Sequence, residues 1–231
     1  GTILEPHDLP QGFLGPWLFR RFLKSRGARR LVVITHALAQ DLARNLGAPE
    51  SPPFTMIAPD GVDLERYTNL PTPREARLRL VQSNALPHPI PIEDFTAGYT
   101  GHLYPGRGSA LLLNLAQRLP TITFLIVGGE PQDVARLQAQ ANDLSLDNLV
   151  LTGFVPNADL PLYQAACDAL LMPYQEQVAA SSGGDIARYL SPMKLFEYLA
   201  CQRAIISSDL PVLREVLNES NAFLLPPAEI D

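Results

Sequence analysis

Apolar and polar positions along the chain change their spacing several times, and each change marks an element. Apolar residues at 17, 18, 19, 22 and 23 form a helical stripe over residues 17–25. Residues 31–34 are a short β-branched run, and residues 37–46 return to helical spacing, closed by Gly47 as a C-cap. Residues 54–58 read as another strand, stopped by the turn sequence Pro59-Asp60-Gly61. Residues 1–4 read as the tail of a strand.

From residue 96 the alternation becomes regular. Strands are predicted at 96–100, 121–127, 148–151, 169–172, 204–207 and 221–225. Between them, amphipathic helices are predicted at 109–119, 131–144, 160–167, 192–201 and 211–217. Short apolar strands alternating with helices imply a parallel sheet covered on both faces, an α/β fold. In such sheets ligands lie beyond the carboxyl ends of the strands, so the loops after strands are where chemistry is expected. Pro71, Pro73, Pro87, Pro89 and Pro91 interrupt the pattern, leaving one short helix at 73–81 and then irregular chain. The expected organisation is a partial first domain at 1–70, a linker at 71–94 and a second domain at 95–231. Both ends look cut, since the chain starts on Gly1 and stops shortly after a strand.

Composition narrows the functional classes. Hydrophobic residues make up 46% of the 231 and charged residues 18%, a globular balance with enough apolar surface for a proper core. The net charge of −6 and the absence of an aromatic-basic motif speak against nucleic acid as a partner. Arg20, Arg21, Lys24, Arg26, Arg29 and Arg30 cluster near the start; they could meet an anionic membrane surface peripherally or form a solvated face. Cys167 and Cys201 stand in no metal-ligand spacing and suit a reducing compartment. No apolar run approaches the ~20 residues needed to span a bilayer, and no basic-then-apolar signal sequence is seen. The expectation is a cytoplasmic protein without a metal or cofactor.

Two segments could carry chemistry. The first is Gly101-His102-Leu103-Tyr104-Pro105-Gly106-Arg107-Gly108, between a strand and a helix. Its glycines would let backbone approach a ligand, the helix start would offer amides to an anion, and Arg107 could hold a phosphate. The spacing matches neither the dinucleotide fingerprint nor a Walker A loop, and a purely structural glycine turn with an exposed Arg fits equally. The second is Ser191-Pro192-Met193-Lys194-Leu195-Phe196-Glu197-Tyr198-Leu199-Ala200, with Ser191 as the expected cap and Pro192 at the first helical position. Lys194 then lies in the first turn, where the helix dipole disfavours a cation unless an anion binds there. A surface pair between Lys194 and Glu197 is the alternative.

In their order, these pieces resemble the retaining glycosyltransferases of family 4, whose GT-B architecture is two Rossmann-like domains around a cleft. Residues 57–63 resemble that family's I-P-N-G-V-D turn, with Asp60 replacing Asn. Residues 99–108 resemble its Y-x-G-x-(loop)-K-G phosphate loop, 124–129 its F-x-I-V-G-x-G segment and 150–155 its V-x-F-x-G-x-V segment. Residues 191–200 with 204–209 resemble S-P-x-K-L-F-E-Y-M-A … V-V-A-S-D. The resemblance implies that Gly101, His102, Arg107 and Lys194 surround the donor diphosphate, that Glu197 holds the ribose, and that Gly153 and Val155 meet the base. It places His7, in Glu5-Pro6-His7-Asp8, near the acceptor cleft.

Two positions depart from the pattern. Tyr189 stands where the first Glu of the family's pair belongs, eight residues before Glu197, and His102 stands where an Arg is usual. Gly183, Gly184 and Asp185, in the same loop as Tyr189, are candidate substitutes for that Glu. The implied function is transfer of a sugar from a UDP- or GDP-sugar donor to a hydroxyl of a saccharide, lipid or small-molecule acceptor, with retention. His7, Arg107 and Glu197 are the implied catalytic residues. Three alternatives stay open: a non-catalytic scaffold of the same fold, a sugar-nucleotide epimerase or sugar-phosphate synthase, and an unrelated oxidoreductase.

Overall fold

The computed structural model describes residues 1–26, 29–179 and 185–227. Two separate parallel sheets organise the chain. The smaller has strands β1 (Thr2–Leu4), β2 (Arg29–Val33) and β3 (Thr55–Ile57) in the order β1-β2-β3. Helices α1 (Leu14–Lys24) and α2 (His36–Leu46) connect them. Leu31, Val33, Leu38 and Leu42 form its fully buried centre. The larger sheet has strands β4 (Thr96–Thr100), β5 (Thr123–Val127), β6 (Leu149–Gly153), β7 (Ala169–Met172), β8 (Ala204–Ser208) and β9 (Phe223–Leu225). Their order is β6-β5-β4-β7-β8-β9, all pairs parallel.

Every residue of β4 and β5 is buried, because helices cover both faces. The side chains of β5 alternate accordingly. Phe124 and Ile126 face α4 (Ser109–Arg118) and α5 (Pro131–Asp143), while Leu125 and Val127 face α6 (Leu160–Ala165) and α7 (Met193–Cys201). The fold is thus an α/β arrangement of two parallel sheets, one of three strands and one of six.

The stretch between the sheets is more ordered than its prolines suggest. Helix α3 (Pro73–Gln82) starts on a capping box, with Thr72 and Glu75 satisfying each other's amides and Pro73 at the first position. Its Ala76 and Leu80 enter the core of the larger sheet, and Arg77 pairs with Asp168 at 2.8 Å at the start of β7. A 3-10 turn over Leu64–Tyr67, not foreseen from the pattern, places Tyr67 in the same core. The expected helix at 211–217 is only a 3-10 turn, Leu213–Glu215. No helix among the described residues is long and apolar enough to cross a membrane.

Among the described residues, hydrogen bonds link α2 and the turn after β3 to the larger sheet's side. The Glu215 carboxylate accepts from the amides of His36 (2.8 Å) and Ala37 (2.9 Å), the exposed first N–H groups of that helix. The buried Asp41, one turn along, accepts from Arg188 (2.7 Å) and from the Tyr189 hydroxyl (2.8 Å). The Asp60 amide donates to the Ser191 hydroxyl at 3.4 Å. Ser191 is therefore not the helix cap expected of it: Pro192 holds the N-cap position and no side chain caps α7.

Candidate functional site

The strand order reverses direction between β4 and β7, so the loops leaving these neighbours part and open a crevice at their carboxyl ends. The loop after β4 carries Gly101 through Gly108; the loop after β7 carries Tyr174 and its neighbours. Two hydrogen bonds tie them, Gln175 N–H to the Gly106 carbonyl (2.9 Å) and Ala179 N–H to the Pro105 carbonyl (3.0 Å). Gly106 (φ +81°) and Gly108 (φ +89°) make this approach feasible. A side chain at Gly106 would run into the Gln177 carbonyl and one at Gly108 into Pro173, besides the strain of a left-handed backbone.

Lys194, in the first turn of α7, reaches into this crevice. It is 7% exposed, with its ammonium 3.7 Å from the centroid of the Tyr99 ring and 5.5 Å from that of Tyr174. Gly101, at φ +126°, lies against the same ammonium where a side chain would press on it. Among the described residues, three enclosed polar atoms here have no hydrogen-bond partner: Lys194 Nζ, Arg107 Nε and the Tyr174 hydroxyl. Burial, and then the Arg107 guanidinium, push Lys194 well below the ordinary lysine range, with Glu197 opposing. Burial also raises the Tyr174 phenol, while Arg107 draws it back. Lys194, Arg107 and the Tyr174 hydroxyl, gathered here with these three atoms lacking acceptors, offer donors to an anion with several acceptor oxygens.

Beside this crevice is a cavity of about 270 Å³ at the ends of β4, β5 and β6. Gly101, His102, Gly128, Gly129, Phe154 and Val155 line it. Phe154, 82% exposed, offers a bare ring face at the rim. His102 stacks on Tyr104 (4.7 Å between centroids, 5° between planes), and Arg107 lies 5.6 Å from the same Tyr104 ring. Gly153 does not line the cavity; its carbonyl accepts from the amide of Gly128, which does, at 2.8 Å.

Glu197 lies one turn further along α7 and is 6% exposed. Its Oε2 accepts from Gln164 Nε2 at 2.9 Å; Gln164 Oε1 in turn accepts from the Tyr67 hydroxyl at 2.9 Å. The Gln164 amide also lies 3.3 Å from Thr100 Oγ1 at the end of β4. The surface pair between Glu197 and Lys194 does not form: both are buried, and among the described residues no ion pair joins them.

The structure therefore brings Gly101, His102, Arg107, Lys194, Val155 and Glu197 to one end of the larger sheet. Arg107 is half-buried rather than exposed, since Tyr104 and Tyr174 enclose it. His7 is exposed on the smaller sheet's side, paired with Glu5 at 3.3 Å, and has no hydrogen bond to that group among the described residues. Tyr189 turns away from the crevice into the apolar core beneath α2. Gly183 and Gly184 lie outside the described residues; Asp185 spends its Oδ1 on the amides of Val178 (2.8 Å) and Ala187 (3.0 Å). Sequence reasoning missed Tyr174, Gln164 and Phe154, which come from separate loops and helices without a shared motif. The exposed Phe154, directly after Gly153, was the one with a local signal: a large apolar residue in a loop after a strand.

Residues 94–231 match the family described as "Glycosyl transferases group 1". The chain is 31% identical over 164 residues to the 2-deoxystreptamine glucosyltransferase of Streptomyces kanamyceticus, covering 68% of this chain and 38% of that protein. It is 27% identical over 205 residues to the phosphatidyl-myo-inositol mannosyltransferase of Mycolicibacterium smegmatis, 85% of this chain and 45% of that one. The chain thus spans less than half the length of these curated relatives. Among solved structures, Anabaena HepE in complex with UDP and glucose superposes with a TM-score of 0.70 at 21% identity, over 99% of this chain and 58% of that one. Sucrose-phosphate synthase from Thermosynechococcus elongatus gives 0.71 at 19% identity, over 99% and 55%. By sequence match over more than half its length, the chain belongs to the group 1 glycosyl transferases.

Proposed function

We propose that the protein containing this chain transfers a sugar from a nucleoside-diphosphate donor to a hydroxyl acceptor. One observation carries the reading: Lys194 Nζ and Arg107 Nε, without hydrogen-bond partners among the described residues, converge at the ends of β4 and β7. An anionic ligand supplies what both side chains lack. Bound there, a diphosphate would lie against Gly101 and between the two cations. It is the leaving group of the transfer, and stabilising its growing charge is the main electrostatic task of the site. Its ribose would fall toward Glu197, whose carboxylate can accept from both hydroxyls, and its base into the cavity lined by Phe154 and Val155. UDP or GDP suits the cavity chemistry equally. The Streptomyces and Mycolicibacterium relatives, named for glucose and mannose transfer, support a hexose as the transferred sugar. Retention at the anomeric carbon, and His7 on the acceptor side, rest on the family resemblance.

The experiment is titration calorimetry of the full-length protein with UDP, GDP and ADP, followed by incubation with the matching sugar donors. Binding of at least one nucleotide and release of it from its sugar donor in the presence of an acceptor are expected. The anomeric configuration of the product, read by NMR, decides retention. Binding without any turnover would favour the scaffold, and absence of binding would overturn the reading altogether.

A further inference from the structure

Lys194 is placed as few lysines are. Its ammonium is enclosed, has no hydrogen-bond acceptor among the described residues, and shares its space with a second cation. The groups that face it come from four elements: Tyr99 from β4, Arg107 from the loop after it, Tyr174 from the loop after β7, and Glu197 from its own helix. The ring of Tyr99 favours the charged form by its negative face, and Glu197 favours it by its carboxylate. Glu197, however, already accepts from Gln164, and the burial of an unbonded ammonium outweighs both influences, with Arg107 adding repulsion. Arg107 cannot relieve the conflict by losing its own proton, because a guanidinium stays charged in any ordinary buffer. Tyr99 and Tyr174 are driven toward their neutral form by burial.

Resting on the proposed donor reading, we infer that Lys194, enclosed without an acceptor beside Arg107, holds its proton weakly in the free protein and firmly once a diphosphate enters, so that binding draws a proton from solvent. The diphosphate brings negative charge and acceptor oxygens into the space that Lys194 and Arg107 share. Both causes that disfavour the ammonium are then removed together. The lysine becomes a proton-coupled clamp, its ammonium favoured while the diphosphate is bound and disfavoured again when the nucleotide leaves. The proton comes from solvent, and no bond of the lysine is made or broken apart from its N–H.

The test is calorimetric titration of the full-length protein with UDP and GDP in buffers of different ionisation enthalpy, between about pH 7 and 9. In that range the terminal phosphate of the free nucleotide is already ionised, its second ionisation lying near pH ~6. The expected result is an observed heat that varies with the buffer, reporting a proton taken up. Affinity should also fall with rising pH, by at most about tenfold per unit for one full proton. His102, at the cavity rim, is the neighbouring group that could mimic this, so the Lys194→Met and Lys194→Arg variants are measured beside the parent. Methionine cannot titrate and arginine is always charged, so in both the proton count should vanish, while Lys194→Arg keeps measurable affinity. Binding with no buffer dependence in the parent would overturn the clamp and leave the donor reading intact. So would an uptake that persists in both variants. Absence of nucleotide binding in the parent would overturn both.

Discussion

Arg107 lies among Tyr104, Tyr174 and Lys194, at the proposed diphosphate position. Arg107→Ala should weaken nucleoside-diphosphate affinity by about 1.5–3 kcal/mol, the range for a charged hydrogen bond. Its stacking on Tyr104 adds ~1 kcal/mol or less to folding, so a thermal scan should show a small change and calorimetry a large one. Equal UDP and GDP affinities for variant and parent would remove Arg107 from the site. Glu197→Gln separates ribose contact from scaffolding. It keeps the shape beside Gln164 but loses the charge that strengthens both hydroxyl bonds. Affinity for a ribonucleoside diphosphate should fall clearly, and for its 2′,3′-dideoxy analogue much less; equal losses would show that Glu197 serves the Gln164 network alone. Arg107 and Lys194 were legible in sequence because a glycine-rich loop and a helix start are local patterns. The burial of Glu197 was not, since Gln164 and Tyr67 reach it from distant parts of the chain.

At the level of elements, the strands of the larger sheet and most helices could be read from periodicity, since apolar runs bounded by turn residues leave few alternatives. The pattern failed where a tertiary partner decided the outcome. Residues 211–217 have helical spacing, yet Glu215 is drawn to the first amides of α2 and only a single 3-10 turn remains. Tyr189 looked like a lost carboxylate; it is instead a hydroxyl aimed at Asp41. Tyr189→Phe should cost stability at the low end of about 1.5–3 kcal/mol, because Arg188 still serves the same carboxylate. A urea midpoint unchanged from the parent would make that contact incidental. The glycines of the loop after β4 are a harder constraint. Gly108→Ala meets ~1–2 kcal/mol of left-handed backbone strain and a collision with Pro173 in addition. It should lower both the thermal midpoint and nucleotide affinity, since the loops of β4 and β7 would be forced apart.

On the scale of the whole molecule, α2 carries most of the polar contacts described between the two sheets. The amino end of α2 is held by Glu215 and its middle by Arg188 and Tyr189. Replacing Asp41 and Glu215 together by alanine should therefore split a single calorimetric unfolding transition into two, as contacts between the bodies are what couple them. One unsplit transition would show that apolar packing alone unites them. The strand order of the larger sheet has a further consequence, for the order in which the chain can assemble. β4, β5 and β6 are consecutive neighbours and can pair as soon as they leave the ribosome. β4 must then wait for β7, which begins only at Ala169, and that pairing carries the loop-closure entropy of the intervening chain. Lys194 and Glu197 follow later still. A nascent chain halted before them would have the glycine loop and Arg107 but neither Lys194 nor Glu197, so the proposed donor site would exist only once α7 has joined the sheet.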